Sequence, residues 1–191
     1  MRVLGVDPGS RFMGYGVVEE KRGRLVHVGH GVIKVDETAP LALRLKELHG
    51  ALCAQLVLFR PQAVAVEGVF TFRNARSALV LGHARGVALL AAAQESLPVF
   101  EYPPAKVKKS VGAGGAGGKD AVARMVRTFL GLEASELGRA DASDALAVAL
   151  CHLNHGRAAI PMAGSAGKKR KGAAALLADR LAPSYRRPEA G

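Results

Sequence analysis

Apolar residues dominate three short stretches at the start of the chain, broken by polar turn residues. Residues 2 to 7, 14 to 19 and 25 to 35 are rich in Val, Leu, Ile and Gly, with turn signals at Asp7-Pro8-Gly9 and Lys21-Arg22-Gly23 between them. That pattern predicts three strands in a meander. From Pro40 to about Phe59 the pattern changes: Leu41, Leu45, Leu48, Leu52, Leu56 and Phe59 recur at three- and four-residue spacing. This predicts an amphipathic helix, with Pro40 suited to a first helical position. Arg60-Pro61 ends it, and AVAVE at 63 to 67 reads as a short buried strand. A second long helix is expected from about Ala75 to Ser96, then a strand at 97 to 102 and a helical stretch from near Pro104. After the glycine-rich GAGGAGG at 112 to 118, two further helices are expected at about 119 to 131 and 140 to 155.

Three strands, helix, strand, helix, strand and then helices imply an antiparallel set extended by parallel strands through helical crossovers. The expected fold is α/β, a mixed five-stranded sheet flanked by helices. No internal repeat is visible. Beyond Ile160 the chain becomes small, polar and basic (AGSAGKKRKGAAA), with too little apolar surface to order it. One folded domain over 1–160 and a disordered basic tail over 161–191 are therefore expected, although LLADRL at 176 to 181 could form a helical turn.

Composition adds a partner class. The 191 residues suffice for one sizeable core. No uninterrupted apolar run approaches the roughly 18 residues that span a bilayer. The opening MRVLGVDPGS lacks the order of a secretory signal, so a soluble, cytoplasmic protein is expected. Cys53 and Cys151 lie in apolar, helix-like stretches, read as small buried thiols without chemistry. The net charge of +11 and pI near 10.2 point to a polyanion. From Gly156 onward eight Lys/Arg stand against two Asp/Glu, and nineteen against fourteen before it. The tail can be a solubilising end, but because the folded part is basic too, a nucleic-acid surface accounts better for the whole.

Against this basic background, four acids stand out. Asp7 ends the first strand, and Glu67 ends AVAVE after four residues without charge. Asp before Pro-Gly is also ordinary turn chemistry. If the two strands are neighbours, both carboxylates emerge at one sheet edge, where close anions raise each other's pKa unless a cation sits between them. Asp141 and Asp144 are three apart at the start of the last helix and share a face. Helix capping explains either one singly, but the set less well. Ala140, Ala142, Ala145, Ala147 and Ala149 make that helix slim enough to lie close to a sheet. Hard oxygen donors with no His or Cys motif beside them suit Mg²⁺ or Mn²⁺ rather than zinc. In the paired-metal version, ions roughly 3.5 to 4 Å apart clamp the attacking and leaving oxygens of a phosphoryl displacement.

Four segments, in order, resemble motifs of the RuvC family of Holliday junction resolvases: DPGSRFMGYGVV at 7 to 18, EGVFTFRNARSALVLGHARGVA at 67 to 88, FEYPPAKVKKSV at 100 to 111 and DASDALAVALCH at 141 to 152. The likeness covers roughly residues 1 to 155. It implies a ribonuclease H-like fold and a divalent-metal-dependent endodeoxyribonuclease that nicks two strands of a four-way DNA junction symmetrically, in recombination and repair. It also implies a homodimer, two Mg²⁺ or Mn²⁺ ions per site, and the RuvA–RuvB branch-migration complex as partner. Matched position by position, it makes Asp7, Glu67, Asp141 and Asp144 the catalytic and metal-binding acids. Phe70, Arg73, Asn74, Arg76, Lys108 and Lys119 become DNA contacts. Some family members carry His in place of the first helical acid, whereas Asp141 here keeps the carboxylate.

The residues themselves leave alternatives. Lys119 sits where a glycine-rich loop enters a helix, whose free amides attract phosphate, but each lysine also fits a solvated face. Phe70 and Phe72 suit a hydrophobic staple as well as a wedge between bases. GGAGGKD is not a P-loop, since Ala113 stands where its first Gly belongs and Asp120 replaces the Ser or Thr after the Lys. His83, His152 and His155 lack metal-ligand spacing. Rival functions are an actin-like or sugar-kinase-like ATPase, which would be longer, a non-catalytic DNA-binding module, and a resolvase-like nuclease of ribosomal RNA precursors.

Overall fold

A computed structural model of the chain describes residues 1–68, 75–114 and 120–155. Its elements run β1 (Arg2–Asp7), β2 (Phe12–Lys21), β3 (Arg24–Lys34), α1 (Leu41–Phe59), β4 (Ala63–Glu67), α2 (Ala75–Gln94), β5 (Val99–Tyr102), α3 (Pro104–Ser110), α4 (Ala121–Leu130) and α5 (Ala140–His155). Each expected element is present. β2 is longer than expected because Phe12 and Lys21 still find partners on β3, at Lys34 and Arg24. α1 stops at Arg60, whose left-handed φ of 47° lets its N–H reach the Leu56 carbonyl ahead of Pro61.

The strands form one sheet in the order β3-β2-β1-β4-β5. β1, β2 and β3 pair antiparallel, while β1–β4 and β4–β5 pair parallel. Side chains alternate between the faces of a strand, and this sheet is covered on both. Leu4, Val6, Val64 and Val66 face a core shared with Leu48, Leu52 and Leu56 of α1 and Ala84, Ala88, Ala91 and Ala92 of α2. Val3, Ala63 and Ala65 face a second core with α3, α4 and α5. The result is a three-layer α/β/α sandwich.

The α5 layer lies unusually close to the sheet. A Cβ at Gly5 would come 2.1 Å from the Ala145 carbonyl oxygen, one at Gly14 2.0 Å from that of Asp141, and one at Gly16 2.6 Å from Leu146. Gly5 and Gly16 are cross-strand partners, and Gly14 stands opposite Asp7. The three glycines form a floor on which backbone meets backbone. At the far end of α5 the Tyr102 hydroxyl donates to Nδ1 of buried His152 at 2.8 Å, and the Phe100 ring lies 4.4 Å from the imidazole. Burial pushes the His152 pKa down and the Tyr102 hydroxyl up to about 12, so both stay neutral at pH 7, as an O–H···N bond requires.

The β2–β3 ladder slips between Val17 and Val18, which oppose Gly29 and His27 and leave Val28 as an extra residue. This bulge brings His27 and His30 to one side. Their Nε2 and Nδ1 stand 2.7 Å apart, and His30 Nε2 lies 2.8 Å from the Glu136 carbonyl. With His30 donating from Nε2 to that carbonyl, His27 donates to its Nδ1. The pair ties the sheet to the loop that leads into α5.

Two features of α2 bear on how it packs. α2 is long and apolar enough by composition to cross a membrane. Its leucines, valines and alanines give it that hydropathy, yet Ala84, Ala88, Ala91 and Ala92 are buried in the core beneath it and Arg85 within it pairs with Glu101 on β5. Gly82 and Gly86 do not serve packing on the protein's own sheet: a Cβ at either meets nothing within 4 Å. Both face outward, on the side opposite the buried alanines. The cysteines fit expectation, Cys151 buried, Cys53 half-buried and both unbridged. The tail, with LLADRL, lies outside the described residues.

Candidate active site

Strand periodicity decides where the first two acids go. Asp7 shares parity with Val3 and Gly5, and Glu67 with Ala63 and Ala65, so both carboxylates emerge on the α5 face. Because β1 and β4 are parallel neighbours, with Val6 level with Val66, the two acids end adjacent strands at the same sheet edge. The glycine floor then lowers the first turn of α5 onto this edge, adding Asp141 and Asp144.

The electrostatics record how closely the four acids converge. Burial, then the charges of Glu67, Asp144 and Asp141, push Asp7 up to about 8, and Asp7 shares a hydrogen bond with Glu67. That bond raises Asp7 and lowers Glu67. Glu67 is itself raised by burial and by Asp144, an effect moderated by Asp7 and the nearby Lys108. Asp144 is raised by burial and Asp141, again with Lys108 opposing. Lys108, exposed on α3, thus faces the acids it was expected to accompany.

Asp141 has a cation of its own. Nε of Arg139 donates to Asp141 Oδ2 at 3.1 Å, and the guanidinium lies 3.8 Å from the centre of the Phe12 ring. Neither Arg139 nor Phe12 was singled out from the sequence. The only local signal is an arginine two residues before an acid, and nothing near it announces an aromatic more than a hundred residues away.

Among the described residues no three His, Cys, Asp or Glu side chains are arranged to hold a metal ion as they stand. Asp7 is engaged by Glu67 and Asp141 by Arg139. The donor set nevertheless fits a hard divalent cation: it is all oxygen, it gathers at one sheet edge, and burial followed by the charges of neighbouring acids raises Asp7, Glu67 and Asp144, which a cation would relieve. Of the expected DNA contacts, Lys108 flanks the acids, and Arg76 lies exposed in the first turn of α2. Phe70, Arg73, Asn74 and Lys119 lie outside the described residues. His83 and His155 are exposed, away from any cluster of ligands.

A mixed sheet in this order, with acids at the ends of β1 and β4 and on the helix packed over them, defines a ribonuclease H-like protein equipped for phosphodiester chemistry. Comparison with known proteins narrows the class. Residues 3–152 match the family model described as crossover junction endodeoxyribonuclease RuvC. The enzyme of that name from Myxococcus xanthus is 85% identical over 190 residues, covering 100% of both chains. The one from Geobacter metallireducens is 50% identical over 154 residues, 81% of this chain and 93% of its own. The structure of T. thermophilus RuvC in complex with Holliday junction substrate superposes with a TM-score of 0.78 at 36% identity, covering 85% of this chain and 99% of that one. The chain belongs to the RuvC family of crossover junction endodeoxyribonucleases. Membership decides among the readings left open by the sequence: the protein is a nuclease, neither an ATPase nor a non-catalytic module.

Proposed function

We propose that Asp7, Glu67, Asp141 and Asp144 are the catalytic acids of this Holliday junction resolvase and hold its divalent cations, two Mg²⁺ or Mn²⁺ ions per site. The observation that carries the assignment is their convergence: four carboxylates from β1, β4 and α5 meet at one sheet edge at a standing electrostatic cost. Buried like charges of this kind are kept where chemistry uses them. Cations bound there supply positive charge against the phosphodiester as it gains negative charge in the transition state. The chain's own residues do the rest. The glycine floor holds the acids of α5 over those of the strands, and Lys108 balances part of their charge and faces the approaching phosphate. Phe70, Arg73, Asn74, Arg76 and Lys119 complete the DNA contacts by resemblance to the family, as does the partnership with RuvA and RuvB in the cytoplasm.

A four-way junction offers two symmetry-related strands, and an isologous dimer supplies two matching sites. α2 is the surface for that dimer. Leu79 and Leu90 are 67% and 52% exposed and lie on one helical face with Gly82 and Gly86 between them. Such a stripe lets a second helix approach closely and buries exposed apolar surface. Residues 1–160 form the nuclease domain, and the basic tail over 161–191 adds affinity for any phosphate backbone.

The test is cleavage by the full-length protein of a synthetic four-way junction, a duplex and an RNA, with Mg²⁺, with Mn²⁺ and with chelator. Paired nicks in the junction alone, in the presence of metal, are expected. Equal cutting of duplex, or cutting that persists in chelator, would overturn the proposal.

A further inference from the structure

Arg139 stands where the loop before α5 meets the start of β2. It follows Gly138, whose φ of +62° turns the chain into the helix. Its side chain joins two parts of the candidate site: Nε holds Asp141 Oδ2 at 3.1 Å, while the guanidinium stacks 3.8 Å from the Phe12 ring centre. Phe12 opens β2 directly after the turn that follows Asp7. Lys108 and Arg139 thus act on different acids. Lys108 acts on Glu67 and Asp144, and Arg139 acts on Asp141.

The two differ in kind. A lysine acts as a hydrated point charge, whereas a guanidinium is a planar fork that hydrogen-bonds directionally and stacks on rings. Arg139 uses both properties, so it is held in place rather than swinging freely. Asp141 is about a quarter exposed and Arg139 a little over half, which leaves the pair open to exchange. A divalent cation drawn to the four acids would need Asp141 and would meet the positive guanidinium beside it.

On this basis we propose that Arg139 is a positioning residue that competes with the divalent cation for Asp141, and that Phe12 is the platform holding it there. The idea rests on the assignment of Asp141 as a metal ligand. Metal loading would then exchange one cation for another at Asp141, the Arg139–Asp141 bond opening and the half-exposed guanidinium being released toward solvent. Arg139 thereby lowers the protein's affinity for metal in the absence of DNA.

The experiment is Mn²⁺ binding to the full-length protein without DNA, read by the loss of free-ion electron paramagnetic resonance signal, in wild type, Arg139→Gln, Arg139→Lys and Phe12→Leu. Circular dichroism confirms that each variant is folded. Arg139→Gln should bind about three- to fivefold more tightly, the range expected for release of a partly exposed ion pair. Phe12→Leu should shift in the same direction by less, since it loosens the guanidinium without removing its charge. Arg139→Lys should stay nearer to wild type than Arg139→Gln does. Unchanged or weaker binding in Arg139→Gln would overturn the proposal and make Arg139 either a bystander or an orienting partner of a bound Asp141. A tightening in Arg139→Gln with none in Phe12→Leu would overturn the platform role. If wild type binds no Mn²⁺ and cuts junctions in chelator, the metal-ligand assignment has failed instead, a result distinct from the other two.

Discussion

α2 and α5 are both rich in alanine and pack on opposite faces of the same sheet, yet they use their small residues in opposite ways. Ten of the sixteen residues of α5 are buried, against four of twenty in α2. The slimness of α5 is matched by glycines across from it, and the close approach that results delivers Asp141 and Asp144 to the strand acids. In α2 the buried residues are alanines, and the glycines point away from the sheet into open space. A small residue that faces the core serves this chain's own packing, and one that faces outward is available to another molecule. Composition is the same signal in both helices, and direction gives it its meaning.

The comparison places the chemistry on the α5 side, and its largest test is chemical. Asp7→Asn should cut junction cleavage by about three orders of magnitude or more, since it removes charge from a metal-assisted site. Junction binding should hold or strengthen, because one repulsive anion is gone. The same change should raise metal-free stability by about 1 kcal/mol, as expected when a strained functional group is relaxed. Folded Asp7, with its pKa near 8 against an ordinary value of 3.8, disfavours folding increasingly as pH rises through that window. Parallel loss of binding and cutting in a folded variant would count against Asp7 as a metal ligand.

Next in size are changes to the glycine floor. Gly5→Ala puts a methyl group 2.1 Å from the Ala145 carbonyl oxygen, which must move, so a loss of about 3 kcal/mol is expected by denaturant unfolding. A neutral Gly5→Ala would mean that α5 rides higher on the sheet than described, and the convergence of the acids would lose its structural cause.

The histidine ties on the α5 side predict a pH dependence of intermediate size. His152 and His27 both have pKa values lowered from 6.5, chiefly by burial. Between the folded and unfolded values the unfolded chain binds more protons. Their contribution to stability is therefore full above about pH 6.5 and is lost as pH falls through the folded values. Melting temperatures at pH 7.5 and 5.0 should differ more in wild type than in a His27→Gln, His152→Gln double variant. The double variant should itself cost about 1 to 3 kcal/mol at pH 7.5 through its lost partners. An equal pH response in both proteins would show that these imidazoles are not the sensitive groups.

The smallest effect on the monomer lies on the α2 side. Gly86→Ala meets no atom of its own chain, so it should stabilise the monomer by about 0.5 to 1 kcal/mol through helix propensity alone. If α2 is the dimer surface, the added methyl group should raise the dimer dissociation constant about tenfold, measured by sedimentation. An unchanged dimer would break the contrast between the helices, leaving the exposed stripe without its proposed partner.

Much of this was legible in the chain before it folded. Apolar runs bounded by turn residues marked the first strands, and three- and four-residue spacing marked α1, because turn chemistry and helical pitch involve neighbours in sequence. The place of Asp7 and Glu67 at strand ends implied that they would share an edge if their strands were adjacent, and the spacing of Asp141 and Asp144 put them on one helical face. The family resemblance followed from those motifs. Tertiary structure decided what joins residues distant in sequence. It paired β1 with β4, laid α5 on Gly5, Gly14 and Gly16, turned Gly82 and Gly86 outward, brought His27 to His30 through a bulge, and set Arg139 between Asp141 and Phe12. None of these has a local signature, since a glycine reads alike under a helix or in open space and an arginine alike in solvent or on a ring. Local periodicity is written by covalent geometry within a few residues, whereas the partner of each side chain depends on how all the layers pack at once.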